Sequence, residues 1–345
     1  MIAPVWGNAR AEGGKPMFRW GILSTATIAR AHLIPAIQQS GNGVVHAIAS
    51  RDGEKARALA ARAGAPLAFG SYDALLASPD IDGVYIPLPT SQHAEWAVRA
   101  ADAGKHVLVE KPLALDAAGI AAVIEARERN RVLISEAFMV VHHPQWHKVR
   151  ELIAAGAIGR LRHVQGAFSY HNVDPANMRN VPALGGGALP DIGVYPVVTT
   201  RFATGREPLE VEARIERDRV FGTDIYSTVR AAFDGFDLTF YVSTQMALRQ
   251  SMVFHGEDGF IELSAPFNAV TYGDPVVTLH ERTHTGATSF RFPVAKQYVL
   301  QVEAFVRAAR GDATARVFTL EDSVLNQRVI DAIFRAGETG GRETV

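Results

Sequence analysis

From Phe18 onward, short apolar runs alternate with longer segments whose apolar residues recur every three to four positions. Residues 18–24, 43–50, 83–88, 106–110 and 131–135 read as strands, and 27–39, 53–64, 72–78, 91–104 and 117–130 as helices. This alternation predicts an α/β fold whose first part is a mostly parallel, doubly wound sheet with right-handed crossovers. Past Glu136 the pattern changes. A helical stretch at 144–156 precedes strand-like runs at 160–170, 209–220, 226–235, 237–246 and 251–263, which predict an open, mostly antiparallel sheet. Helical periodicity returns at 295–311 and 320–337. The expected organisation is a first domain at 17–138 and a second α/β domain at 139–345, with the boundary near 136–145. Residues 1–16 read as a flexible extension, either an arm or an over-long start ahead of Met17.

Composition narrows the function classes. The 345 residues carry 35 Lys and Arg against 36 Asp and Glu, a net charge of -1, so phosphate neutralisation of a nucleic acid has no basis in the charge. There is no cysteine, which excludes disulfides, thiolate catalysis and Cys-ligated zinc. No apolar run approaches the roughly 20 residues of a membrane helix, and no leader pattern stands at the start; a cytoplasmic protein is expected. His143 and His147 have metal-ligand spacing beside His142, but no third ligand stands at a telling offset, so no metal is expected. No G-x-S-x-G elbow offers a hydrolase nucleophile.

The first strand runs into Gly21-Ile22-Leu23-Ser24-Thr25-Ala26-Thr27-Ile28-Ala29, where a dinucleotide fingerprint would place glycines. Small residues there let the backbone approach a pyrophosphate at a helix N-terminus, and Ser24, Thr25, Ala26 and Ile28 are the candidate contacts. The alternative is a tight strand-to-helix packing turn. The second strand ends on Ser50 and Arg51, where an NAD site would carry an acid for the ribose 2'-hydroxyl. A hydroxyl and a guanidinium suit a 2'-phosphate, with Lys55 as a second cation, so NADP is expected over NAD. Asp52, next in sequence, pulls the other way.

Glu110 and Lys111 close the strand at 106–110, at the carboxyl edge where open α/β sheets bind ligands. Taken alone, Lys111 reads as a surface lysine paired with Glu110. Together with GILSTATIA, AIASRD, PLPTSQH, EAFMVVHHPQW and GGGALPDIGVY, the VLVEKPLAL segment resembles the glucose-fructose oxidoreductase/inositol dehydrogenase (Gfo/Idh/MocA) family from about residue 18 to near the end. The resemblance implies a Rossmann domain holding NAD or NADP. It also implies a second domain whose open sheet forms the substrate floor and often a homo-oligomer interface, with sugars and cyclic polyols as substrates. The family's catalytic lysine falls on Lys111, its preceding glutamate on Glu110, and its D-x-x-x-Y/H pair on Asp191 and Tyr195. The tyrosine form resembles the branch of aldose oxidoreductases, D-xylose dehydrogenases and dihydrodiol dehydrogenases.

Leu88, Pro89 and His93 match the segment passing under the nicotinamide, although His93 reads equally as an exposed helical histidine. His171, Asn172 and Arg179, with Asn180, are candidate sugar contacts. Where many relatives carry an arginine, this chain has Val141. Residues 191 and 195 stand four apart on an expected helix and so project from one face. Alcohol oxidation needs a base for the hydroxyl proton, and a tyrosine serves only where an ammonium such as that of Lys111 stabilises its phenolate. Tyr195 otherwise reads as a core aromatic. Which of Lys111 and Tyr195 exchanges the proton stays open; the expectation is a shared role, with Tyr195 as proton donor or acceptor and Lys111 as the electrostatic partner that also fixes the substrate oxygen. The expected activity is hydride transfer between NADP(H) and a sugar carbinol carbon. The alternatives are an aldose-aldose oxidoreductase with tightly bound NADP, a trans-dihydrodiol dehydrogenase and a non-catalytic NADP sensor.

Overall fold

The computed structural model describes residues 16–345. The expected flexible extension therefore lies outside the described residues, save for Pro16, whose carbonyl accepts a hydrogen bond from Arg310.

The continuous apolar runs form one parallel sheet: β1 (Phe18–Leu23), β2 (Gly43–Ala49), β3 (Leu67–Phe69), β4 (Gly83–Ile86), β5 (His106–Val109) and β6 (Ile134–Glu136), in the spatial order β3-β2-β1-β4-β5-β6. Every pairing is parallel. The crossovers carry α1 (Ile34–Gln39, continuing a π-turn at Ala29–Leu33), α2 (Gly53–Ala63), α3 (Tyr72–Leu76), α4 (Thr90–Asp102) and α5 (Ala121–Asn130). Both faces of the sheet are covered. Trp20, Ile22 and Leu108 point into one core cluster, and Leu23, Val84, Ile86 and Val109 into the other. Burial on both faces is why these strands read as unbroken apolar runs rather than alternating ones. At about 1.5–3 kcal/mol per large buried side chain, it is also what holds them. The three-residue β3 is too short to give a period, and the sequence shows no strand there.

The second sheet has nine strands: β7 (Leu161–His171), β8 (Pro208–Arg217), β9 (Asp224–Phe233), β10 (Phe236–Ser243), β11 (Gln245–Gly256), β12 (Gly259–Leu263), β13 (Val276–Glu281), β14 (Ala287–Arg291) and β15 (Glu343–Thr344). Their order is β14-β13-β12-β11-β7-β10-β9-β8-β15. Pairings are antiparallel except the central β7–β10 contact, which is parallel because the β8–β9–β10 meander returns alongside β7 in the same direction. The run expected as one strand at 251–263 is a hairpin, because the N–H groups of Glu257 and Asp258 turn away to the Arg160 and Ile158 carbonyls. In β9, buried Val229, Ala231 and Phe233 alternate with half-buried Thr228, Arg230 and Ala232. This two-residue period marks a sheet packed on one face only. That face meets α6 (Pro144–Ala154), α7 (Val194–Thr204) and α9 (Leu320–Thr339). The remaining helix, α8 (Gln297–Ala309), returns to the first sheet, with Val302, Phe305 and Val306 in the cluster of Trp20 and Ile22. Among the described residues no helix is long and apolar enough to cross a membrane.

Candidate active site

The carboxyl ends of β1, β2, β4 and β5 lie along one edge of the parallel sheet, with the switch in strand order between β1 and β4. Lys111 leaves that edge two residues after β5, before a cis bond to Pro112. Its ammonium crosses to the second domain and meets Asp191, with Nζ 3.0 Å from Oδ1 and a further hydrogen bond to the Asp191 carbonyl. Both side chains are largely enclosed, 11% and 14% exposed. Ion pairing at this burial is far less screened than at a surface, and removing either partner strands the other.

Asp191 is held from two more directions. Arg179 Nε donates to Oδ2 at 2.8 Å and the Tyr170 hydroxyl donates to the same oxygen at 2.6 Å. Burial pulls the Asp191 pKa upward, but Arg179 and Lys111 beside it, with the Tyr170 hydrogen bond, overcome that and keep it well below the usual carboxylate range. Burial and the Asp191 charge together push the Tyr170 phenol far up, so it stays a donor. Tyr170, at the end of β7, was not singled out in the sequence. Its strand position next to His171 was legible, but its partnership with Asp191 needs the fold.

Tyr195 behaves differently from the expectation. Residues 189–193 form a π-turn before α7 rather than a regular α-helix. The Tyr195 ring lies under the Lys111 ammonium, 5.2 Å from centroid to Nζ, and packs on Phe138, Phe168 and Phe267. Its hydroxyl points to Met139 Sδ at 3.7 Å and the residue is 6% exposed. Burial first, then Tyr298, Glu110 and Asp191, raises its pKa well above 10. A phenolate stabilised by Lys111 is therefore not what this geometry provides. The ammonium meets the ring face, and the O–H turns into the apolar wall.

On the cofactor side, Ser24 stands at φ 137°, a conformation that glycine adopts freely and other residues rarely. Its Oγ accepts from the Ala26 N–H at 3.0 Å, which offsets part of the strain and lets a serine replace the fingerprint glycine. The chain turns from there into the helix that begins at Thr27, whose first-turn N–H groups have no partners within the helix, and Ser24, Thr25, Ala26 and Ile28 surround that helix end. At the end of β2, the Asp52 carboxylate caps α2 through the N–H groups of Glu54 (3.1 Å) and Lys55 (3.2 Å). It is thus committed to the helix. Ser50 Oγ accepts from the Asp52 N–H, Arg51 is exposed beside Tyr72, and Lys55 pairs with Asp52 at 3.5 Å instead of standing free.

His93 is a correction. It is 1% exposed, with its ring nitrogens 2.7 Å from the carbonyl oxygens of Leu88 and Pro112, so it ties the Leu88–Pro89 loop to the Lys111–Pro112 turn from beneath and offers no ring surface to a ligand. Glu110 is enclosed as well. It accepts from the Tyr85 hydroxyl and from the Lys111 N–H, and burial raises its pKa. Glu136, also not anticipated, accepts from the Leu113 N–H at 2.9 Å, and burial lifts it to about 7.

His171 is exposed at the end of β7, while Asn172 Oδ1 accepts from the Asp174 N–H and the Asn180 amide, committing it to the loop. His143 caps α6 by accepting from the Gln145 N–H, and His147 packs edge-on against Phe202. Among the described residues no three His, Cys, Asp or Glu are placed to hold a metal ion. Val141 is buried.

Residues 18–138 match the oxidoreductase family with an NAD-binding Rossmann fold, and residues 146–262 match the GFO/IDH/MocA C-terminal domain. The chain is 38% identical over 326 residues to the D-xylose 1-dehydrogenase (NADP(+)) 2 of Haloferax volcanii, covering 93% of this chain and 98% of that one. Among solved structures it is similar to a 3-ketoreductase from Actinomadura kijaniata bound to NADP and TDP-benzene (TM-score 0.86, 30% identity, 93% and 98% of the two chains). It is also similar to the aldose-aldose oxidoreductase of Caulobacter crescentus (TM-score 0.87, 25% identity, 95% and 100%).

Proposed function

The chain belongs to the GFO/IDH/MocA oxidoreductase family, and on that premise we propose that it is an NADP(H)-dependent enzyme acting on a CH–OH or carbonyl carbon of a sugar. The observation that carries this reading is the Lys111 ammonium at the carboxyl edge of the parallel sheet, held across the cleft by Asp191. NADP is supported by the commitment of Asp52 to the α2 cap, which leaves Ser50 and Arg51 as the groups at the strand end, and by the NADP named for two of the relatives.

Ser24, Thr25, Ala26 and Ile28, with Ser50 and Arg51, would hold NADP(H) at this edge, and its nicotinamide would supply or accept the hydride. In the reducing direction Lys111 Nζ donates a proton to the carbonyl oxygen as it becomes a hydroxyl, and the oxidising direction reverses that transfer. Asp191 stays ionised throughout, because Arg179, Lys111 and Tyr170 favour its charged form, and it fixes Nζ in place. Arg179, which holds Asp191, lines the side from which a polyhydroxyl substrate would approach, whereas His171 follows Tyr170 on β7 and projects to the other face of the sheet. Tyr195 and its aromatic neighbours exclude water beneath the ammonium, which strengthens the polar contacts above them. The half-buried open face of the second sheet, including Thr228, Arg230 and Tyr241, is the surface through which a second copy would associate.

A panel of aldoses, polyols and dihydrodiols assayed with NADP+ and NAD+ tests the reading. Sugar-dependent reduction of NADP+ supports it; turnover with dihydrodiols alone, or none with any carbinol, would overturn the sugar assignment. Arg51→Ala should lower the preference for NADP over NAD by about tenfold or more, the loss of one charge-assisted contact. An unchanged ratio would remove Arg51 from the 2'-phosphate site.

A further inference from the structure

Behind Asp191 lies a second acid that the reaction does not use. Asp224 opens β9, is 1% exposed, and has no cation within ion-pair distance among the described residues. Its Oδ2 accepts the Leu189 N–H at 2.6 Å, at the start of the turn that carries Asp191. The glycine run wraps around this carboxylate. Gly187 sits at φ 137°, and a Cβ there would stand 1.9 Å from Asp224 Oδ1; a Cβ on Gly186 would stand 2.5 Å from the Arg179 carbonyl oxygen. The Asp191 N–H then closes back on the Gly187 carbonyl at 3.2 Å. One short stretch is therefore hydrogen-bonded to the Asp224 carboxylate on one side and packed closely against the backbone of Arg179 on the other, and Asp191 projects from it.

We propose that Asp224 is a positioning residue, whose buried carboxylate anchors the Gly187–Leu189 turn and so sets Asp191 at the geometry that grips Lys111, Arg179 and Tyr170. A neutral Asn or Ser would satisfy the same N–H. A buried carboxylate is costly without a paired cation, and burial accordingly raises Asp224 to about 6. What the anion adds is a stronger hydrogen bond to the unsatisfied backbone donors at the head of the turn. The groups facing it are the N–H groups of Ala188 and Leu189, Arg217 from β8 and Tyr170 from β7.

The proposal rests on the role given to Asp191 above, and a double-mutant cycle separates the two. With the best substrate of the sugar panel, Asp224→Ala should lower kcat by about tenfold or more while NADPH affinity, read by fluorescence titration, stays within about twofold. Asp224→Asn, which keeps an acceptor oxygen for Leu189 but loses the anion, should recover only part of the loss and leave kcat several-fold below the native enzyme. It is therefore the test where the alanine variant does not fold, and native kcat in it would overturn the role of the anion. Adding either change to Asp191→Asn should cost little more in kcat, since the group being positioned is already gone. Losses that multiply in the double variant, or a lowered Tm with unchanged kcat, would overturn positioning by Asp224. Unchanged kcat in Asp191→Asn would instead overturn the role of Asp191 itself.

Discussion

Two regions meet at Lys111. The polar edge, made by Asp191, Arg179 and Tyr170, holds the ammonium by charge and directed hydrogen bonds. The apolar wall, made by Tyr195, Phe138, Phe168 and Phe267, supports it from below by contact. Asp191 and Tyr195 come from one stretch of chain, four residues apart, yet burial acts on them in different company. The same desolvation that keeps Tyr195 protonated is overridden at Asp191 by two cations and a phenol. A residue type therefore does not carry its role with it. The neighbours supplied by β7 and by the segment around Arg179 decide which side chain is charged.

The widest separation between the regions should come from Lys111→Ala. Loss of a positioned acid–base group is expected to lower kcat by about 10²–10⁴-fold with NADPH affinity nearly unchanged. Turnover near the wild-type level would end the assignment. Asp191→Asn should follow at about 10–100-fold in kcat, together with a lower Tm, because Lys111 and Arg179 lose their shared counter-charge.

Glu136, beneath the Lys111 turn, offers a pH test of the same polar region. Its pKa is raised from its ordinary value to about 7, so its favourable contribution to stability is complete below about 4.5 and is lost as pH rises through 7. The Tm of Glu136→Gln relative to the native protein should therefore rise between pH 5 and pH 8, by at most roughly 3 kcal/mol of stability. A flat difference would show that Glu136 is ionised at little cost. Tyr195→Phe should have the smallest effect, under about tenfold in kcat and about 1 kcal/mol in stability, because it removes only a hydroxyl facing Met139 Sδ. A loss as large as that of Lys111→Ala would erase the distinction between edge and wall and return the proton to the phenol.

Much of the fold was legible. The parallel strands announced themselves because both faces are buried, and β7 to β11 because one is. The short β3, the hairpin that divides β11 from β12, and the parallel β7–β10 pair were not, since three residues carry no period and pairing direction leaves no mark on a single strand. In the site, Lys111, Asp191 and Arg179 were each singled out from the sequence and the structure brings all three together. Tyr170, Glu136 and Asp224 were missed, and His93 was given the wrong surroundings.

The sequence by itself determined the two sheet types and the strand edge on which Lys111 stands, and it offered Ser50 and Arg51 at the end of β2. Periodicity and position along the chain are local properties, readable without knowing what lies opposite. Only the tertiary structure decided that Asp191 is the ionised partner while Tyr195 is sealed, that Asp52 is spent on a helix cap, and that a second buried acid stands behind the first. Ionisation, donor direction and burial depend on groups tens to more than a hundred residues away, and desolvation has no value until the fold has brought them together.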